Sequence, residues 1–163
     1  MESLGEKIVR AQRAQKRAPQ KTEAFYNIRD YLKEKRYDIA LSSKYLPGNP
    51  TIILEKQKTV IYINSCYLYG HSGCKYAVQP ENDGEFLQER IRERVEKRHE
   101  EYQVYRDMGW QVIEFWECEA RGSKLDRTIE RIERDIEAFQ SERKKAKKSE
   151  AEADYFECLF DQS

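Results

Sequence analysis

Residues 46–74 read LPGNPTIILEKQKTVIYINSCYLYGHSGC, and this stretch decides the fold. LPGNP is strong turn chemistry: proline fixes φ and glycine reaches φ values that other residues avoid. Two apolar runs follow, Thr51–Leu54 and Val60–Ile63, separated by the charged EKQK. The pattern is that of a β-hairpin. Its continuous apolar content, rather than alternation, predicts central strands buried on both faces. The hairpin then opens into an irregular region, 64–83, which carries two of the four cysteines and one of the two histidines.

Outward from the hairpin, the pattern alternates between helix and strand. Upstream, Thr22 is a good N-cap, and a helix runs from it to about Glu34. Phe25, Tyr26, Ile28, Tyr31 and Leu32 form its apolar side. Tyr37–Leu41 reads as a short strand. Downstream, 84–108 reads as a long charged helix with Phe86, Leu87, Ile91, Val95, Tyr102 and Tyr105 facing the sheet, capped by Gly109. Residues 110–116, WQVIEFW, are a further strand, and 123–148 a last helix with Leu125, Ile129, Ile132, Ile136 and Phe139 in its apolar row. The expected fold class is α/β: one domain over 22–148 with a mixed central sheet flanked by helices.

Both ends differ from the body. Residues 1–21 hold Lys7, Arg10, Arg13, Lys16, Arg17 and Lys21 against Glu2 and Glu6, which is either a basic arm or a solvated helix over 4–18. Residues 149–163 mix acidic and aromatic residues and read as a tail, a docking segment or a short added helix. With 30 basic and 30 acidic residues the net charge is zero, so the chain as a whole is not the basic body of a simple nucleic-acid binder. No apolar run approaches the ~20 residues that span a membrane, and MESLGEKIVRAQ is too polar for a secretory signal. The expected compartment is the cytoplasm, without membrane association. Reducing conditions there argue against a disulfide framework and for metal binding or simple burial of the cysteines.

The spacing Cys66-x4-His71-x2-Cys74, with Cys118 just after the last strand, suits a tetrahedral ion. Three thiolates and one imidazole favour zinc, and four protein ligands make a structural rather than a catalytic site. The alternative is buried thiols beside an unrelated histidine. Cys158 has no such neighbours, and His99, amid EKRHEEY, reads as solvated.

The opening segment, together with YRDMGWQVIEFWECEAR at residues 105–121, resembles the very short patch repair (Vsr) endonucleases, bacterial enzymes that nick DNA at T:G mismatches on a restriction-endonuclease-like core. Leu46, Pro47, Gly48, Pro50, Val60, Ile61, Cys66, His71, Cys74, Gly109, Trp110, Val112, Trp116, Glu117 and Cys118 carry it, over about residues 20–140. The resemblance implies a structural zinc on Cys66, His71, Cys74 and Cys118. It also implies a DNA partner, gripped by wedge residues at Tyr67, Leu68, Phe86 and Leu87 and by the arm residues Arg10, Arg13, Lys16 and Arg17.

Departures from the family pattern fall at the chemistry. Thr51 stands where the family has a metal-binding aspartate, Asn64 and Tyr69 where it has histidines, and Ile63 where a threonine lends its carbonyl. Glu23 alone matches the remaining acidic position. Magnesium needs a carboxylate here, and neither Asn nor Tyr titrates near neutrality. The expectation is a degenerate site that binds DNA or serves within a complex. Two alternatives remain: an active endonuclease with magnesium at a rearranged site using Glu55 and Glu114, and a zinc-scaffolded module that docks a protein through its tail.

Overall fold

A computed structural model of the chain describes residues 22–41, 43, 45–77 and 85–160, with side chains through Glu152. Its elements are α1 (Glu23–Glu34), β1 (Ile52–Leu54), β2 (Thr59–Asn64), α2 (Glu85–Asp107), β3 (Gln111–Trp116) and α3 (Leu125–Phe160), with two 3-10 turns, Glu117–Ala120 and Gly122–Lys124, between β3 and α3. The sheet is mixed, in the order β1-β2-β3. β1 pairs antiparallel with β2, Ile52 opposite Ile61, and β2 pairs parallel with β3, Tyr62 opposite Glu114 and Asn64 opposite Trp116.

The two-sided burial expected of the hairpin is present, and alternation distributes it. Ile52, Leu54, Ile61, Ile113 and Phe115 point to one face, where Phe25, Ile28 and Leu32 of α1 and Ile132 and Ile136 of α3 cover them. Ile53, Val60 and Tyr62 point to the other, under Tyr102 and Tyr105 of α2. The result is three layers, helices on both sides of the sheet. Each fully buried Ile or Leu contributes about 1.5–3 kcal/mol, so the middle strand, with Val60, Ile61 and Tyr62 all at 0% exposure, holds the two layers together. Thr22 caps α1 as the sequence indicates, its hydroxyl accepting the Phe25 N–H at 3.3 Å. Gly109 ends α2 at φ +72°, with Trp110 N–H reaching back to Tyr105 O at 2.9 Å.

Several expectations need correction. Tyr37–Leu41 is not a strand. Only Ala40 bridges to Ile53, because Tyr37 N–H is still tied to Leu32 O at 3.0 Å and Leu41 already faces solvent. In α2 only the C-terminal part is buried against the sheet (Glu101, Tyr102, Val104, Tyr105). Phe86 is 75% exposed, and Leu87, Ile91 and Val95 are half-buried, because the first half of the helix passes over the loop after β2 instead of over the sheet. Two 3-10 turns precede α3, which starts at Leu125 and continues past 148 to Phe160. The tail therefore begins inside this helix. The arm residues Arg10, Arg13, Lys16 and Arg17, the helix expected over 4–18 and the Cys158 side chain lie outside the described part.

The turn at 46–50 is locked to α2. Leu46, Pro47, Gly48 and Pro50 are buried, and Tyr105 Oη donates to Pro47 O at 2.6 Å. Gly48 has φ +69°, and a Cβ there would lie 2.6 Å from Glu101 Oε2. Gly109 has a similar φ but open space around its Cβ position. Gly48→Ala is therefore expected to cost about 2–4 kcal/mol in denaturant unfolding, backbone strain plus collision, against about 1 kcal/mol for Gly109→Ala.

Candidate functional site

The loop after β2 is short of apolar residues and folds on its own backbone. Tyr69 N–H bonds to Ser65 O at 3.2 Å and His71 N–H to Cys66 O at 3.0 Å, and glycines at positive φ, Gly70 and Gly73, turn it. Gly70 packs so closely on α2 that a Cβ would come within 2.9 Å of Ile91 Cγ2. These turns bring Cys66, His71 and Cys74 together, and the 3-10 turn after β3 delivers Cys118. One donor atom of each lies within 4.8 Å of all the others. Cys118 Sγ is 3.4 Å from His71 Nδ1, so that nitrogen faces the cluster. The His71 ring stacks flat on Trp116, centroids 4.2 Å apart at 3°.

This donor set can hold a metal ion such as zinc. Metal–sulfur bonds of about 2.3 Å in a tetrahedron place donors about 3.8 Å apart, so the four need only small inward movements. Electrostatics point the same way. Burial pushes the Cys66 thiol up to about 12 and raises that of Cys118, whereas backbone N–H groups, Tyr76 first, lower that of Cys74. Three thiols in contact do not ionise together in a half-buried pocket unless a cation compensates them.

Beside the cluster, on the α2 side of the sheet, lies a cleft of about 670 Å³. Asn64, Tyr69, Arg98, His99, Glu114 and Arg131 are among its walls. Asn64 is 6% exposed. Its Nδ2 donates to Glu114 Oε2 at 3.2 Å and to Tyr102 Oη at 3.4 Å, while its Oδ1 is buried without a protein partner. Tyr69 Oη accepts from Arg98 Nη2. The Arg98 guanidinium lies between two rings, 4.4 Å from the centroid of Tyr62 and 4.7 Å from that of Tyr69, and faces Glu101 at 3.9 Å. Tyr62 Oη donates to the same Glu101 carboxylate at 3.2 Å. Burial raises the phenols of Tyr62 and Tyr102 well above the ordinary tyrosine value, so both stay protonated throughout the working pH range.

Of the four positions singled out by resemblance, the structure gathers two in the cleft. Asn64 and Tyr69 line it, and Thr51 adjoins Asn64 through the backbone: its Oγ1 accepts the Ile63 N–H at 3.0 Å and it is 7% exposed. Glu23 is elsewhere. It borders a separate groove with His71, Cys74 and Cys118, 3.9 Å from Arg121 Nε. Glu55 sits exposed in the β1–β2 turn, whereas Glu114 pairs with Tyr62, about 10 Å further along β2 at ~3.3 Å per residue. Those two carboxylates cannot share an ion. Tyr67 is 47% exposed next to the cluster, Leu68 half-buried and bonded through its carbonyl to Arg94 at 3.3 Å. Sequence reasoning missed Arg98 and Glu101. Both lie in a helix so rich in charge that no residue pattern marks which charges turn inward.

A three-stranded mixed sheet between helices, with a Cys3His cluster pinning a loop to the sheet end, fits an α/β domain of nuclease type. The chain is 31% identical over 110 residues to the type II nicking enzyme V.NmeAIP of Neisseria meningitidis serogroup A, a match covering 67% of this chain and 78% of that one. It is 31% identical over 77 residues to the DNA mismatch endonuclease Vsr of Escherichia coli K12, covering 47% of this chain and 49% of that enzyme. Against the type II nicking enzyme V.XorIIP of Xanthomonas oryzae pv. oryzae the identity is 26% over 92 residues, 56% and 67% of the two chains. No protein-family model matches the chain. The protein belongs to the Vsr family of mismatch endonucleases and nicking enzymes. Among the described residues no helix is long and apolar enough to cross a membrane.

Elemental analysis of the purified protein is expected to find one zinc per chain. Cys66→Ser should drop the content well below half, and stripping the metal should lower the melting temperature by about 10 °C, the effect of losing several kcal/mol in a domain of this size.

Proposed function

We propose that this protein is a Vsr-type, restriction-endonuclease-like domain that binds DNA with its cleavage chemistry impaired, its zinc acting as a structural brace. In this reading residues 22–148 form the body, 1–21 a basic arm and 149–163 a tail. The observation that carries it is the bond from Ile63 N–H to Thr51 Oγ1. At the position where the family places its metal-binding aspartate, a neutral hydroxyl is spent on the neighbouring backbone, and magnesium gains no carboxylate from it. The other substituted positions are equally committed. Tyr69 is held by Arg98, and Asn64 spans Tyr102 and Glu114. DNA is the expected partner, since the relatives are endonucleases and nicking enzymes by name. Tyr67 and Phe86 present exposed rings beside the zinc loop, with Leu68 and Leu87 behind them, and apolar wedges of this sort enter kinked duplexes. Arg10, Arg13, Lys16 and Arg17 would add phosphate contacts, which bring affinity without sequence reading.

One observation favours a second reading. Glu114 brings a carboxylate against Asn64 inside the cleft, 3.2 Å away, so an active but rearranged metal site would be built on Glu114. A nicking assay on plasmid and on T:G-mismatched duplex, with magnesium or manganese, separates the two. The expected result is no nicked product over a long incubation, together with a salt-sensitive gel shift. Combined Thr51→Asp, Asn64→His and Tyr69→His, in which the new aspartate can still accept the Ile63 N–H, should introduce nicking. Cleavage by the unaltered protein that Glu114→Gln abolishes would overturn impairment in favour of the rearranged site. Absence of any DNA binding at low salt would instead favour a protein-docking module.

A further inference from the structure

Charge along α3 is sorted by flank. From Lys124, just ahead of the helix, intervals of three and four residues lead through Arg127, Arg131, Arg134, Lys145 and Lys148, and the two intervening positions of the same row, Ala138 and Ser141, are small. Residues at this spacing stand on one flank of a helix. No acidic residue occupies that row. The neighbouring flank carries Asp126, Glu130, Glu133 and Glu137, so a protein of zero net charge has a basic edge and an acidic edge on one helix. Arg134 and Lys148 have 73% and 79% of their side chains exposed, and Arg127 and Lys145 are exposed as well. Their visible ion pairs, Arg134 with Asp135 at 3.8 Å and Lys148 with Glu152 at 3.7 Å, are surface contacts worth little.

The row is also placed where it matters. α3 covers the far face of the sheet from the cleft, but Arg131 reaches round β3, the edge strand, donating to Glu114 O at 3.1 Å and approaching Glu119 at 3.7 Å. The same arginine lines both the cleft and a second groove, of about 480 Å³, where Lys124, Arg127 and Arg134 outnumber Glu119 and Glu130. The cleft therefore opens directly onto the basic row. At 1.5 Å rise per residue the row is about 36 Å long, the length of about ten base pairs of duplex at 3.4 Å each. A straight row of cations of this length spans one turn of a stiff duplex and meets phosphates of both strands in succession.

We propose that this basic edge of α3 is a tracking surface for the backbone of duplex DNA leading away from the cleft. The proposal rests on the DNA-binding reading above and adds a second contact region to it, on the side of β3. Contacts of this kind release counterions, so they raise affinity and salt dependence together without adding sequence preference.

The test uses the full chain with Lys124, Arg127, Arg134 and Lys145 changed to Gln. Arg131 is kept for its bond to β3. The four sites are exposed, and glutamine preserves helix propensity. Fluorescence anisotropy on a labelled duplex of about 20 base pairs, across a salt series, should show affinity at least tenfold weaker at low salt and a plot of log affinity against log salt flattened by about 2–4 units, ~0.9 per lost phosphate contact. Asp126→Asn with Glu130→Gln and Glu137→Gln, on the acidic flank, should bind as tightly as the unaltered protein or more tightly. An unchanged salt slope in the four-site variant would overturn the tracking surface while the DNA-binding reading stands. Equal weakening by the acidic-flank variant would overturn it too, marking a general effect on the helix. Failure of the unaltered protein to bind any duplex would remove the DNA reading itself.

Discussion

Everything in this molecule hangs on β2, a strand with no free side. Both of its edges are used, antiparallel to β1 and parallel to β3, and both of its faces are covered. Side chains alternate along it, so its register fixes more than packing. Ile61 goes to the α1–α3 layer, Tyr62 and Asn64 go to the α2 layer, and Cys66 emerges two residues past the strand end. A slip of one residue would exchange those layers and leave Tyr62 without Glu101. The cleft and the cluster are thus consequences of one strand's alternation, not separate inventions.

The Cys3His cluster does for the loop what apolar burial does for the sheet. Residues 65–77 contribute almost nothing to either hydrophobic core, and their internal hydrogen bonds alone are weak support for a loop that forms one wall of a cleft. A metal ion held there would replace the mutual repulsion of three thiolates by three bonds to one cation, and would join the loop to Cys118, beyond the far strand. The stack of His71 on Trp116 extends that join into β3 itself. Placement of Leu68, Tyr69 and Gly70 against α2 would then follow from the brace.

How legible this was depended on which forces were local. Hairpin, caps and cluster could be read because each is written in adjacent residues: the TIIL and VIYI runs, Thr22 and Gly109, and the Cys66-His71-Cys74 spacing. Tyr37–Leu41 looked like a strand by composition, but the α1 end still holds Tyr37 and only Ala40 reaches β1. Phe86, Leu87, Ile91 and Val95 have core-like spacing, yet whether a helix face meets sheet or loop depends on where the chain returns, which spacing does not encode. The same holds for parallel pairing of β2 with β3. Arg98 and Glu101 were hidden for another reason. A buried charge within a charged helix is identified by its partners, and those partners, Tyr62, Tyr69 and Gly48, lie 29 or more residues away along the chain.

The cleft beside the cluster is lined by polar groups that hold one another. A metal-dependent nicking site needs anionic oxygen and a titrating base in a partly dry pocket. Here the floor of the pocket is buried, and its groups are paired with one another: Thr51 with backbone, Asn64 with Tyr102 and Glu114, Tyr69 with Arg98, Arg98 with Glu101. Such pairing is stabilising where burial is deep, because an unpaired polar atom there costs about 1–3 kcal/mol. The exception is Asn64 Oδ1, buried with no protein partner. It sits across one amide from the carboxylate of Glu114, and it is the point in the cleft where a bound group would meet an unspent acceptor.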